Sequence, residues 1–207
     1  MESILNIEHI HDDLEMLAGE FDGEIRTDRP FRLLYATDAS AYRQLPLAVV
    51  LPKHEEDIRS LVSFAKKHNT SLIPRTAGTS LAGQVVGGGI IVDVSRHLTK
   101  ILEINAKEKW IRVQPGVVLD EMNKVLAPKG LFFSPETSTS NRCMMGGMVG
   151  NNSCGAHSLI YGSTRDHLIS VKTVLSDGTT AAFGPLTNDG FLKKCELKSP
   201  NGIHFKH

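Results

Sequence analysis

Two segments carry residue types suited to gripping phosphate oxygens. The first, Pro74-Arg75-Thr76-Ala77-Gly78-Thr79-Ser80-Leu81-Ala82-Gly83-Gln84, sets two glycines beside adjacent hydroxyls. Glycine lets the backbone come close to an oxygen-rich ligand, and a run of unengaged amides in such a loop forms an anion-binding nest. The second, Gly146-Gly147-Met148-Val149-Gly150-Asn151-Asn152, is again rich in glycine and ends in two amide side chains. Two better-known phosphate motifs fail here. Gly78 to Gly83 has the spacing of a P-loop, but Gln84 and Val85 follow where that motif needs Lys and Ser/Thr. The second segment has Met145 where the dinucleotide fingerprint places its first glycine, which disfavours a nicotinamide-type domain. Two such segments, separated by residues 85–145, imply one long ligand held between two units, and a dinucleotide has the required length. Each hydrogen bond to a charged phosphate oxygen contributes roughly 1.5–3 kcal/mol, so a few amides can hold a diphosphate without a lysine.

These segments need elements to position them. Ile4, Ile7, Ile10, Leu14 and Leu17 recur at spacings of three and four, which predicts an amphipathic helix. After Gly19 and Gly23 comes a Pro/Asp/Arg stretch read as loop. PLAVVL (residues 46–51), closed by Pro52, predicts a buried strand, and residues 54–68 a helix with acids at its start and Lys66, Lys67 and His68 at its end. Residues 71–75 and 90–94 are further short strands, and strand, helix, strand at this spacing is a βαβ signature. Gly87-Gly88-Gly89 reads as a hairpin turn leading into Ile90. Beyond it, residues 101–104 and 109–113 pair as a hairpin, residues 117–126 form a helix stopped by Pro128 and Gly130, and residues 168–175 and 179–183 flank the hairpin turn Asp177-Gly178. Trp110 is read as a core residue. The expected organisation is a helical lead-in (1–32) and two small α/β units, 33–105 and 106–207, with the ligand between them.

Composition sets the boundaries of function. Among 207 residues, 23 Lys and Arg balance 23 Asp and Glu, so nothing in the net charge calls for nucleic acid or an anionic membrane. Cys143, Cys154 and Cys195 form no C-x-x-C pair, which argues against a disulfide framework or zinc site and for reduced thiols. The start, MESILNIEHIHDDLEML, lacks the basic residues and apolar run of a signal peptide, and no window has the ~18 apolar residues of a membrane span. A cytoplasmic location is expected.

YATDAS (35–40), PRTAGTSLAGQ (74–84), VQPG (113–116), GGMVGNNSCGAHSLIYG (146–162) and SDG (176–178) occur in this order in FAD-linked oxidases with a PCMH-type FAD-binding domain. Over residues 33–185 the sequence resembles their glycolate oxidase and D-lactate dehydrogenase branch, most of all the N-terminal part of long enzymes fusing this domain to an iron-sulfur module. The resemblance implies an α+β fold of two small α/β subdomains with FAD between them. Arg75, Thr76, Ala77, Gly78, Thr79, Ser80 and Leu81 would wrap the diphosphate. Pro135, Glu136, Thr137, Ser138, Gly146, Gly147, Gly150, Asn151, Asn152 and Gly155 would line the ribityl chain and isoalloxazine ring, and Val171 would meet the adenine end. Thr79 stands where some relatives attach the flavin through histidine, so FAD is expected to be non-covalent.

The implied activity is oxidation of a small D-2-hydroxy acid, with the substrate held by a cap domain absent from these 207 residues and electrons passed to an iron-sulfur module. The same resemblance allows a stand-alone flavin-binding module or a nicotinamide-fed flavin reductase. His157 and Tyr161 are read as structural, and Cys154 with His157 as too sparse for a metal site.

Overall fold

The computed structural model describes residues 2–196, with side chains from His9 onward. Its first part contains α1 (Glu2–Ala18), β1 (Glu24–Arg26), α2 (Arg29–Leu34), β2 (Ala48–Leu51), α3 (Glu55–Lys67), β3 (Leu72–Arg75) and β4 (Ile90–Asp93). The strands form one sheet in the order β1-β2-β4-β3, with β2, β4 and β3 parallel and β1 antiparallel to β2. β2 (AVVL) and β4 (IIVD) are buried at every position, as expected where both faces of parallel strands are covered. Alternation sorts their side chains. Ala48, Val50, Ile90 and Val92 face a cluster with Ile10 and Leu14 of α1 and Leu61 and Phe64 of α3. Val49, Leu51 and Ile91 point the other way, against Phe31, Tyr35 and Ile73. The side chains of Ile4 and Ile7 lie outside the described residues.

Two expectations are corrected here, while the βαβ expectation holds, β2 and β3 running parallel in one sheet across α3. The stretch after Gly23 is not loop but β1 and α2, the latter opened by Asp28, whose Oδ1 accepts the Phe31 amide at 3.0 Å, and by Pro30 in its first turn. β4 inserts between β2 and β3, so the strands flanking α3 share a sheet without touching. Gly87-Gly88-Gly89 is no hairpin turn, because β3 and β4 are parallel and residues 76–89 are a crossover. A Cβ on Gly89 would lie 2.3 Å from the Ser71 carbonyl oxygen, so close backbone approach explains that glycine.

The second part contains β5 (Ile101–Asn105), β6 (Trp110–Val113), α4 (Leu119–Leu126), α5 (Met145–Asn151), α6 (Ser158–Tyr161), β7 (Val171–Val174), β8 (Thr180–Phe183) and α7 (Asn188–Glu196). β5 and β6 form an antiparallel hairpin whose Ile101, Ile104, Ile111 and Val113 pack on Val117, Met122, Met145 and Met148. Trp110 is outside that cluster. Its Nε1 donates to Glu108 Oε2 at 2.8 Å and the Arg112 guanidinium lies 5.7 Å from its ring centre. The second glycine-rich segment is a helix, α5, rather than a loop. Glycine costs about 1 kcal/mol per helical position, and the burial of Met145 and Met148 offsets it. These features and the structural neighbours described below bear out the α+β expectation.

The β7-β8 hairpin, turned at Gly178 with φ +85°, docks on α3 through polar groups. Glu55 Oε1 accepts the Thr180 hydroxyl at 2.7 Å and Arg59 Nη2 at 2.5 Å, while Glu55 Oε2 pairs with Lys172 Nζ. The Lys172 ammonium and the Thr180 hydroxyl hold the Glu55 carboxyl below the usual carboxylate range. Because this pKa is depressed on folding, its contribution to stability is full at neutral pH and is lost as pH falls through the depressed value. Glu55→Gln should therefore melt below the native chain at pH 7 by a margin that closes toward pH 3. Equal margins at both pH values in thermal melts would contradict this docking.

Candidate functional site

The first glycine-rich segment leaves the C-terminal end of β3, the side of an open parallel sheet where ligands bind in α/β folds. Two glycines bend it, Gly78 at φ +66° and Gly83 at φ +69°. Among the described residues, nothing accepts a hydrogen bond from the amides of Thr76 through Leu81. The Ser80 hydroxyl accepts the Ala82 amide at 3.2 Å and donates to Gln84 Oε1 at 2.7 Å. Arg75 is spent on the chain itself, since Nη1 donates to Thr37 O at 2.9 Å and to Tyr35 O at 3.4 Å.

Beneath this loop the Tyr35 hydroxyl donates to Asp93 Oδ2 at 2.7 Å, and Asp93 Oδ1 accepts the Ser95 amide at 2.7 Å. Burial, with the Asp93 carboxylate, pushes the Tyr35 phenol well above its ordinary value. Asp93 is 5% exposed. Tyr35→Phe leaves one of its oxygens without a partner, a cost of about 1–3 kcal/mol. At roughly 2–4 °C per kcal/mol the melting temperature should fall by roughly 3–10 °C, and an unchanged melt would remove this anchor.

The second segment is built on α5. Gly146 N donates to Pro115 O at 2.8 Å. A Cβ on Gly147 would lie 2.5 Å from Thr76 Oγ1, so the two glycine-rich segments are in direct contact, and Gln84 Nε2 donates to Asn151 Oδ1 at 2.9 Å. A Cβ on Gly150 would meet nothing within 4 Å. Asn152 caps α5 at φ +49°, and its Oδ1 accepts the Arg165 amide at 2.8 Å. Pro135 is buried and leads into Glu136, Thr137 and Ser138. A Cβ on Gly155 would come 2.1 Å from Glu136 O. His157 Nδ1 sits 2.7 Å from Glu136 Oε1, and the Tyr161 ring meets those of Phe132 and His157 edge-on. Val171 stands on the hairpin docked to α3, and among the described residues it has no hydrogen bond to either segment. Cys143 is buried, and burial raises its thiol pKa, while Cys154 is exposed. Among the described residues, no three metal-ligating side chains gather.

The arrangement suits an elongated, doubly charged ligand. One wall is a run of free amides. On α5, Thr76 fills the space beside Gly147, while the space a Cβ would take at Gly150 is open, and amides without an acceptor suit the oxygens of a diphosphate. Sequence reasoning missed the Tyr35-Asp93 anchor and the role of Gln84, because neither partner pair is close in sequence.

Fold and site together define a flavin-binding domain of the dinucleotide-clamping kind. A family model described as FAD binding domain matches residues 46–184, and the chain belongs to that family, the FAD-linked oxidases with a PCMH-type domain, with FAD as cofactor. The chain is 46% identical over 170 residues to a D-2-hydroxyglutarate dehydrogenase of Haemophilus influenzae, covering 81% of this chain and 16% of that protein. It is 35% identical over 150 residues to glycolate oxidase subunit GlcD of Bacillus subtilis, covering 71% and 32%. The chain thus spans well under half of these relatives.

Among solved structures, a Physcomitrella patens BBE-like 1 variant superposes with a TM-score of 0.72 at 19% identity, covering 88% of this chain and 40% of that one. 6-Hydroxy-D-nicotine oxidase from Arthrobacter nicotinovorans gives 0.69 at 20% identity, covering 79% and 36%. Both share the fold.

Proposed function

We propose that this chain is the FAD-binding portion of a flavin-dependent oxidoreductase acting on a small D-2-hydroxy acid. The observation that carries the proposal is the apposition of residues 76–84 and α5, joined at Thr76/Gly147 and Gln84/Asn151. The names of the relatives, D-2-hydroxyglutarate dehydrogenase and glycolate oxidase subunit, support the substrate class. FAD, when bound, supplies the ring that takes the hydride from the substrate α-carbon. The amides of Thr76, Ala77, Gly78, Thr79, Ser80 and Leu81 hold the diphosphate. Arg75 braces that loop on Tyr35 and Thr37. Pro135, Glu136, Thr137, Ser138, Gly146, Gly147, Gly150, Asn151, Asn152 and Gly155 flank the ribityl chain and ring, and Val171 the adenine end.

The flavin is held without a covalent link, Thr79 offering no imidazole. Two cores, meeting between Leu98 and Ile101, support a two-unit organisation. A cap domain outside these 207 residues holds the substrate, and an iron-sulfur module takes the electrons. No helix among the described residues is long and apolar enough to cross a membrane, and three cysteines with no C-x-x-C pair fit the reducing cytoplasm.

Titration of the purified chain with FAD is the direct test. At a hundredfold excess over Kd, FAD should stabilise the fold by about 2.7 kcal/mol, a rise in melting temperature of roughly 5–10 °C. Acid should then release intact FAD into the supernatant. A folded sample with no thermal shift would overturn the reading, and colour retained in the acid precipitate would overturn the non-covalent part. Anaerobic bleaching of the flavin by D-2-hydroxy acids, with the substrate half added back, tests the activity.

A further inference from the structure

We propose that Gln84 is a latch that retains the cofactor, tying the diphosphate loop to the far end of α5 and so setting how long FAD stays bound; this rests on the FAD reading above. Four side chains form one directed chain of hydrogen bonds. The Ser80 hydroxyl donates to Gln84 Oε1 at 2.7 Å, Gln84 Nε2 donates to Asn151 Oδ1 at 2.9 Å, and Asn151 Nδ2 donates to Ser153 Oγ at 3.3 Å. Every donor points the same way along the chain. Turning one amide alone would set oxygen against oxygen or nitrogen against nitrogen, and turning both would need a third donor on the Ser80 oxygen. Ser80 is itself fixed, its oxygen accepting the amides of Ala82 at 3.2 Å and Gln84 at 3.4 Å.

The position of the chain gives it a function. Gly147 and Asn151 are four residues apart on α5 and share a face of the helix. Thr76 touches that face at Gly147, and Gln84 reaches it at Asn151. The first segment is therefore pinned to α5 at both ends. Between the pins the amides of Ala77 through Leu81 have no acceptor among the described residues, and on α5 a Cβ on Gly150 would meet nothing within 4 Å. A diphosphate seated there is enclosed at the Gln84 end by one exposed amide-amide bond. The Thr76 pin is a packed contact next to the sheet, whereas the Gln84 pin joins two exposed side chains and is the one that opens at least cost. Gln84 acts as a positioning residue, holding the two walls at ligand spacing.

The test is stopped-flow release of FAD from the loaded chain, read by the fluorescence of free flavin, for the native protein, Gln84→Ala, Gln84→Met, Asn151→Ala and the Gln84/Asn151 double variant. Gln84 is exposed, so its variants should fold and melt, without FAD, within about a degree of the native chain. Losing one such hydrogen bond corresponds to roughly a 3- to 10-fold change. Gln84→Ala and Gln84→Met should both release FAD faster by that factor. In the Asn151→Ala background, Gln84→Ala should add nothing, the signature of one shared contact. Native-like release from Gln84→Ala would overturn the latch and leave the FAD reading standing. Additive effects in the double variant would overturn it equally, by showing that Gln84 acts through another group. Failure of the native chain to bind FAD would remove both.

Discussion

Gly78→Val should weaken FAD binding by at least ~100-fold while leaving most of the fold intact. Gly78 sits at φ +66°, where a left-handed backbone costs an ordinary residue roughly 1–2 kcal/mol and a β-branched one more. A Cβ there would also lie 2.5 Å from Arg75 Nη2, so valine must dislodge the guanidinium that grips the carbonyls of Tyr35 and Thr37. The Gly78 carbonyl meanwhile accepts the Ala39 amide at 3.1 Å, which ties the loop to the same YATDAS stretch. Relief comes by rotating the backbone out of the left-handed region. That rotation turns the neighbouring amides away from a common centre, and loss of two charged hydrogen bonds at roughly 1.5–3 kcal/mol each accounts for the expected drop. Gly130→Val is the control, since Gly130 has φ +67° with nothing within 4 Å of its would-be Cβ. It should lower the melting temperature by a comparable backbone penalty without touching affinity. Titration showing native affinity in Gly78→Val would take the amide nest out of the site.

What could be read from the sequence follows the range of the physics. β2 and β4 were legible because unbroken apolar runs are the mark of strands covered on both faces, and β3 was acceptable despite Pro74 because it lies at the sheet edge. Which strand neighbours which is decided by the path of the crossover, and nothing in Leu72-Ile73-Pro74-Arg75 announces that Ile90 rather than Ala48 lies beside it. α2 has six residues, too few to show a helical period, although Asp28 and Pro30 carried its start signal. α5 was hidden by its own glycines, whose cost is offset by two methionines buried in a cluster assembled from distant segments. Period-two alternation leaves the register free by one residue, so nothing in the sequence says that Ile111 and Val113 rather than Trp110 face the core. The chemistry of residues 75–81 and 146–152 was legible from residue type alone. The contact between Gln84 and Asn151, and the pressing of Gly155 on Glu136, exist only once the two halves are assembled.

Gly155→Ala should be the most damaging single methyl in the second wall. The added Cβ would stand 2.1 Å from the carbonyl oxygen and 2.9 Å from the carbonyl carbon of Glu136, backbone against backbone, with no flexible tip to swing aside. Neither side yields easily. Residue 136 is flanked by buried Pro135 and by Thr137, whose hydroxyl contacts the buried Cys143 sulfur at 3.2 Å. Gly155 is held from its other side by its amide hydrogen bond to Ser158 Oγ at 2.8 Å, and the chain just before it by Ser153 O, which accepts both the amide and the hydroxyl of Thr164, at 3.0 Å and 2.7 Å. Forced overpacking of this kind costs about 1–3 kcal/mol, so the melting temperature should fall by roughly 3–10 °C. FAD affinity should fall with it, as residues 153–157 move off Glu136 and break the His157 pair. Gly155→Ser should be hardly worse, because the first carbon makes the clash. Gly150→Ala separates the two effects: no atom lies within 4 Å of its would-be Cβ, so alanine should raise stability by up to about 1 kcal/mol through helix propensity, and with that face of α5 against the ligand, as proposed, FAD affinity should fall. A Gly155→Ala chain melting with the native protein would mean that residues 136 and 155 do not touch.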